Sequence, residues 1–324
     1  MTKRKILVCG AGGFIGGHMV RRLIEQGNEV RAIDIKPLQD WFQISDAAES
    51  RSLDLSLKEN CETAVDSCDH IYNFAADMGG IGFIEQNKSN CMLNVLINTH
   101  LLMAARRSQP SRYLFSSTAC VYPEFKQNTY DAPKLKESDA YPAMPEDGYG
   151  WEKLFGERMC RHFREDHGLE TRIVRFHNVY GPLGTWTGGR EKAPAAICRK
   201  VIEAKRAGQN FIDVWGDGRQ VRSFLDIEDC LTGTQLVMEG GHSDPLNIGS
   251  DEDVTIEALV RIVEDIAGVK LEHRSQPDAP KGVAGRNCDG SEMARLFNWR
   301  PKVALRDGMK GLYAWIERQM AVGK

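Results

Sequence analysis

A chain of 324 residues is longer than one hydrophobic core usually supports, so two domains, or one domain with a large lobe, are expected. Its 42 Lys and Arg against 45 Asp and Glu leave a net charge of −3 with no long run of one sign, which excludes the electrostatic footprint of a nucleic-acid binder. No segment reaches the ~20 apolar residues that cross a bilayer, and nine cysteines without a CxxC pair or regular spacing argue against a disulfide frame or zinc site, so a cytoplasmic protein with reduced thiols, no membrane partner and no metal is expected.

The first element is KILVCG, residues 5 to 10, an apolar run without the period-two alternation of a half-exposed strand, which predicts a buried parallel strand. It runs into GAGGFIGGHMVRRLIEQG, where Gly10, Gly13 and Gly16 stand three apart. A helical pattern of Met19, Val20, Leu23 and Ile24 follows and stops at Gly27. EVRAID predicts a second strand ending at Asp34. DHIYNFAA, a helix over NVLINTHLLMAARR, the strand RYLFSS, a helix through YGWEKLFGERMCRHFRED and the strand TRIVRFHNVYG continue the alternation. Strands alternating with helices imply an α/β protein with a Rossmann-like doubly wound parallel sheet. Past residue 180 the pattern loosens into Gly- and Pro-rich loops, GPLGTWTGG and WGDGRQ, with shorter helices, which predicts a second, smaller substrate-binding lobe. The expected division is 1–176 for dinucleotide binding, rejoined by about 223–245, with 177–222 and 246–324 forming the lobe.

A pyrophosphate must approach backbone amides at a helix N-terminus closely, where a Cβ would obstruct it. Gly10, Gly13 and Gly16, with Phe14 and Ile15 in the first turn, provide that surface between a strand and a helix. Asp34 at the end of the next strand can bind both hydroxyls of an adenosine ribose and repel a 2'-phosphate, favouring NAD over NADP. Lys36 is the nearby cation that keeps a 2'-phosphate open. Ala75, ending DHIYNFAA, belongs to the same cofactor surface, and Asp54 in RSLDLS is either an adenine neighbour or a turn residue.

Tyr149 and Lys153 in DGYGWEKLFGE stand four apart at a helix start, on one face. An ammonium alongside lowers the pKa of a phenol from its ordinary value near ~10. Such a tyrosine can take a proton from a sugar hydroxyl while hydride leaves for a nicotinamide. A pair at this spacing is otherwise a helix surface pair, and its setting gives it meaning.

Strand, glycine loop, Asp34, the SSTAC strand end and YxxxK occur in the order and spacing of the extended short-chain dehydrogenase/reductase family, which the chain resembles over nearly its whole length. Within it the likeness is to the GDP-mannose 3,5-epimerase family, carried by NFAADMGGIGF (73 to 83), STACVYPEFKQ (117 to 127), RFHNVYGPLGTWTGGREKAPAA (175 to 196) and WGDGRQVRSF (215 to 224). One departure is Thr118, which stands where those epimerases have Ser; both carry the hydroxyl that completes a triad with Tyr149 and Lys153.

The resemblance implies a redox-neutral isomerase that keeps its NAD bound, oxidises C4 of GDP-mannose and inverts C5 and C3 to give GDP-L-galactose, with C5-only GDP-L-gulose as a by-product. A 4-ketone makes the hydrogens on C3 and C5 acidic, and inversion needs one proton-transfer group on each side of the ring. The resemblance assigns these roles to Cys120, whose thiol a cationic neighbour could make more acidic, and Lys192, whose pKa burial would lower. It further implies substrate contacts at Met78, Gly79, Thr118, Ala119, Cys120, Asn178, Glu191, Lys192, Ala193 and Gln220. Glu191 is expected to set the charge of Lys192. Lys200, Arg222 and Arg286 are expected to meet the diphosphate. A homodimer through the helices near 94–107 and 150–165 is implied as well. His177 is expected to be structural. A GDP-fucose synthase, which consumes NADPH and uses a histidine where this chain has Lys192, is the alternative. A sugar-nucleotide 4,6-dehydratase would need an acidic pair where Ala119 and Cys120 stand, and a silent regulator would have lost Tyr149 or Lys153.

Overall fold

The computed structural model describes residues 3–322. The first half comprises β1 (Lys5–Cys9), α1 (Phe14–Glu25), β2 (Glu29–Asp34), β3 (Ala48–Ser52), α2 (Lys58–Val65), β4 (His70–Asn73) and α3 (Ile81–Gln86). It continues through α4 (Lys88–Ser108), β5 (Arg112–Thr118), α5 (Tyr149–His167), β6 (Thr171–Phe176) and β7 (Val179–Tyr180). The second half comprises α6 (Ala193–Ala207), β8 (Phe211–Trp215), β9 (Val221–Ser223), β10 (Leu225–Asp226), α7 (Ile227–Glu239), β11 (Leu246–Ile248) and β12 (Asp253–Thr255). It ends with α8 (Ile256–Ala267), β13 (Glu272–Gln276), β14 (Gly285–Arg286), α9 (Ser291–Phe297) and α10 (Leu305–Ala321).

Seven strands form one sheet in the order β3-β2-β1-β4-β5-β6-β11. Every pairing within it is parallel, giving the Rossmann-like architecture expected. Strand β1 shows why such strands read as unbroken apolar runs. Ile6 and Val8 enter a core with Met19, Leu23 and Leu231 on one face of the sheet. Leu7 and Cys9 enter another with Leu101, Leu102 and Cys160 on the opposite face. The order reverses between β1 and β4, the point where ligands bind in doubly wound sheets.

A separate apolar core unites α6, α8 and α10 through Val201, Ile202, Val260, Val263, Leu312 and Ile316. A parallel β8–β13 pair and the three-stranded β12-β9-β14 sheet accompany it. Helix α8 is specified by its ends: Thr255 Oγ1 accepts from the Ala258 N–H, and Gly268 closes it at φ 68°. The segment expected to open this lobe, Leu246–Ile248, instead supplies the seventh strand of the main sheet. Three residues are too few to show a period, but their full burial against β6 fixes them there. No helix among the described residues is long and apolar enough to cross a membrane, and the nine cysteines are all free and buried.

A buried ion pair ties α5 to the sheet. Arg175 of β6 donates Nε to Glu157 Oε1 at 2.8 Å and Nη2 to Oε2 at 2.7 Å, while Ser117 of β5 donates to the same Oε1 at 2.5 Å. Both charged side chains are almost wholly buried, so neither tolerates loss of the other. Glu157→Ala is expected to lower unfolding stability by roughly 3–5 kcal/mol, measured by urea denaturation; a change below about 1 kcal/mol would show that water reaches Arg175.

Candidate active site

The glycine loop shows what each missing Cβ makes possible. Gly10 adopts φ 78°, and a Cβ there would lie 2.8 Å from the Phe74 carbonyl carbon and 2.9 Å from Ala75 N, so the turn sits directly against the end of β4. A Cβ on Gly16 would run into Gly10 O, so only glycine lets α1 start this close to β1. Gly13 caps α1 with no side chain occupying the helix end, and Phe14 and Ile15 follow in its first turn. The N–H groups there are the surface that a pyrophosphate needs. Asp34, 8 % exposed, accepts from the N–H of Gly12 and of Lys36, both at 3.0 Å, which fixes its carboxylate beside the loop. Lys36 Nζ donates back to Gly12 O at 3.2 Å. Asp54 accepts from the Ser56 N–H at 2.8 Å in a turn before α2, which is the turn alternative.

On the same carboxyl edge of the sheet, two strands from β1, Thr118 ends β5, and its Oγ1 accepts from the Cys120 N–H at 3.2 Å, capping a short 3-10 turn over Ala119–Val121. That turn presents Cys120 to a cavity of about 1130 Å³. Thr118, Ala119, Tyr149, Lys192, Ala193, Arg222 and Arg286 line the same cavity. Helix α5 reaches this point because Gly150 carries no side chain: a Cβ there would collide with Cys120 O. Tyr149 is thereby buried in one small cluster with Cys120, Cys91 and Ile84. Lys153, one turn on and 2 % exposed, places Nζ 5.7 Å from the Tyr149 ring centroid and 4.7 Å from that of Phe115.

The electrostatics depart from expectation at two groups. The Tyr149 phenol is pushed well above its ordinary value, first by burial and then by Cys120, Glu152 and Glu146, so the chain's own charges do not give the depression that Lys153 was expected to supply. Cys120 does have its cationic neighbour, with Arg286 Nη1 donating to Sγ at 3.2 Å. Burial and the Glu146 carboxylate outweigh that cation and push the thiol up to about 12. Lys192 agrees with expectation: burial lowers its ammonium. It stands at the N-terminus of α6. Both proton-transfer candidates are therefore driven toward their neutral forms in one cavity.

Lys192 is positioned by a loop-to-loop staple. The Gly80 N–H donates to Arg190 O at 3.0 Å, and a Cβ on Gly80 would lie 2.6 Å from Glu191 O. Arg190 stacks 3.8 Å over the Phe83 ring, donates to Met78 O and pairs with Asp77 at 2.5 Å. Met78 and Gly79 border the same cavity as Lys192. Glu191 does not set the charge of Lys192 as expected. Its carboxylate is engaged by Arg199 at 3.1 Å and by the Gly189 N–H at 2.7 Å, and it has no part in the lowering of Lys192.

Asn178, at φ 41°, donates to Ser223 O at 3.0 Å, and Gln220 is buried with Oε1 unpartnered; both face the cavity. Arg222 donates only to backbone carbonyls, including Val283 O at 2.6 Å and Val221 O at 2.8 Å. Burial and then the charge of Arg286 lower it to about 9. Two guanidinium groups facing one cavity without a paired carboxylate for Arg222 are poised for an anion. Lys200 donates to Asp213 O at 2.7 Å and lies 5.6 Å over the Trp215 ring. His177 is fully buried against Asn247 at 3.0 Å and lowered to about 4 by burial, a structural neutral imidazole as expected. Sequence reasoning missed Glu146, Gln127 and Arg190. Gln127 accepts from Arg286 Nε at 2.6 Å and so aims that guanidinium at the thiol. No motif marks these residues, because their roles come from loops that meet only in the fold.

The chain is 44% identical over 317 residues to the GDP-mannose 3,5-epimerase of Arabidopsis thaliana, covering 98% of this chain and 83% of that protein. It is 43% identical over 319 residues to GDP-mannose 3,5-epimerase 1 of Oryza sativa subsp. indica, with the same coverage. The fold matches the crystal structure of a UDP-glucose 4-epimerase from Thermotoga maritima with a TM-score of 0.87, at 23% identity over 98% of this chain and 99% of that one. With residues 6–249 matching the model of the NAD dependent epimerase/dehydratase family, the chain belongs to that family.

Proposed function

We propose that this protein catalyses the redox-neutral epimerisation of GDP-mannose at C3 and C5 to GDP-L-galactose, with GDP-L-gulose as the C5-only by-product. One observation carries the reading: a thiol and an amine, Cys120 and Lys192, border the same cavity as Tyr149 and Thr118. Simple oxidation or 4-epimerisation needs only the hydroxyl groups around C4; a second acid/base pair has work only at neighbouring carbons. The 43–44% identity to proteins named GDP-mannose 3,5-epimerase supports the same conclusion.

The glycine loop and Asp34 fit NAD, since the Cβ-free backbone meets an uncapped helix N-terminus and the carboxylate stands beside it. When bound, NAD would supply a reversible hydride acceptor for C4 and a cationic nicotinamide, whose charge favours a phenolate. Tyr149 takes the proton of the C4 hydroxyl, with Lys153 Nζ held 5.7 Å from its ring centroid, and Thr118 holds that oxygen. Cys120 as thiolate removes a proton from one face, and Lys192 as ammonium delivers one to the other. Raising the thiol to about 12 makes the thiolate, once formed, a stronger base for a C–H next to a ketone while lowering the fraction ionised at neutral pH. Arg222, Lys200 and Arg286 supply the positive field for the diphosphate.

Incubation with GDP-mannose and no added reductant is expected to give both products by proton NMR, and Tyr149→Phe to slow formation roughly 10²–10⁴-fold. Turnover only of a 4-keto-6-deoxy sugar with NADPH would overturn the reading in favour of a reducing enzyme.

We further propose a homodimer through α4 and α5, which pack side by side and expose Met92, Leu93 and Leu96 beside Trp151 and Phe155. Five exposed large apolar side chains on two helices that pack together are what an interface between copies would cover. Light scattering should give twice the 36.3 kDa chain mass, falling to one chain on Leu93→Arg with Phe155→Arg; a wild-type mass of one chain would contradict it.

A further inference from the structure

The hydrogens on C3 and C5 of a D-mannosyl ring lie on the same face. Inverting both therefore takes two protons from one side and delivers two to the other, so the same base must act twice and the same acid must act twice. After the first inversion the sulfur holds a proton and the amine has lost one. A second inversion in the same orientation requires both to be reset.

One buried group at the thiol has no assigned work. Glu146, in the loop before α5, is 8 % exposed, and neither carboxylate oxygen has a hydrogen-bond partner in the chain. It lines the cavity with Cys120 and is fixed beside it, because its own N–H donates to Cys120 O at 3.0 Å. Arg286 Nη1 lies 4.0 Å from Glu146 Oε2 and 3.2 Å from Cys120 Sγ. One guanidinium thus faces both atoms, so a negative charge passing between oxygen and sulfur stays beside the same cation.

We propose that Glu146 is the proton partner of Cys120, taking the thiol proton between the two inversions so that one sulfur serves as base at both carbons; this relay rests on the 3,5-epimerase reading. The S–H bond breaks, its electron pair stays on sulfur as thiolate, and an O–H bond forms on Glu146. Water in the open cavity then accepts the proton of Glu146 and re-protonates Lys192, so no net proton is consumed. Glu146 acts through Cys120 and is a positioning residue.

The other charged and titratable groups facing the thiol are Tyr149 from α5, Lys192 from α6 and Arg222 from β9. Glu85 and Cys91 face Glu146 from α3 and α4. Glu146 is the anion that adds most to the raising of the thiol after burial itself. Removing its charge favours the thiolate, so the thiol must then titrate at lower pH.

The test compares wild type with Glu146→Gln and Glu146→Asp. Alkylation of Cys120 by iodoacetamide, followed across pH by peptide mass, should have its midpoint lowered by about one unit or more in Glu146→Gln. The Asp variant should stay near wild type. With GDP-mannose, Glu146→Gln should raise the ratio of singly to doubly inverted product several-fold while the first inversion persists. An unmoved alkylation midpoint overturns the pairing whatever the substrate. A moved midpoint with an unchanged product ratio overturns the relay. Absence of any epimerised product from the wild type overturns the underlying function, and the alkylation midpoint then still decides the pairing.

Discussion

The packing of α5 against the end of β5 is the constraint on which the rest of the site depends. Two glycines permit it. A Cβ on Gly150 would strike Cys120 O, and one on Gly156 would lie 2.5 Å from the Phe115 ring. The buried Arg175–Glu157 pair with Ser117 then locks the helix to two strands at once. This single approach puts the thiol, the phenol, the lysine behind it and the Glu146 carboxylate within one small volume. A helix held one side chain further out would leave each residue present and the chemistry unassembled, since misplacement by about 1 Å can cost a hundredfold in rate.

Desolvation is the second organising force, and it acts on acids and bases in opposite senses. It raises Tyr149 and Cys120 and lowers Lys192, so the groups bordering the cavity favour neutral forms. Against that background the two guanidinium groups stand out as fixed charge. Arg222 is lowered to about 9 by burial and by Arg286, a cost that a bound anion would relieve. The arrangement suits a substrate that brings two phosphates together with carbon centres needing strong but shielded base catalysis.

The fold was largely legible in the sequence, for a physical reason. A strand covered on both faces must be apolar at successive positions, so KILVCG and RYLFSS announce themselves, and the glycine spacing marks the one turn where backbone must approach backbone. What escaped were features with no local signature. β11 is three residues long and shows no period. Glu191 reads as a plausible partner for the adjacent Lys192, yet its carboxylate turns to Arg199 and the Gly189 N–H. Glu146 reads as an ordinary turn residue in PEDG, and only the meeting of that loop with β14 gives it Arg286 and Cys120 as neighbours. Residues fixed by local backbone needs are visible in sequence; residues fixed by long-range convergence are not.

The central claim is that C4 oxidation and carbon inversion are separate tasks performed by separate residues in one cavity. The most direct measurement uses Cys120→Ala with GDP-mannose in deuterated water, following reduced nicotinamide by absorbance and the sugar by NMR. Reduced nicotinamide that accumulates while C3 and C5 take up no deuterium is the predicted result. Deuterium entering C3 and C5 at the wild-type rate without the thiol would contradict it.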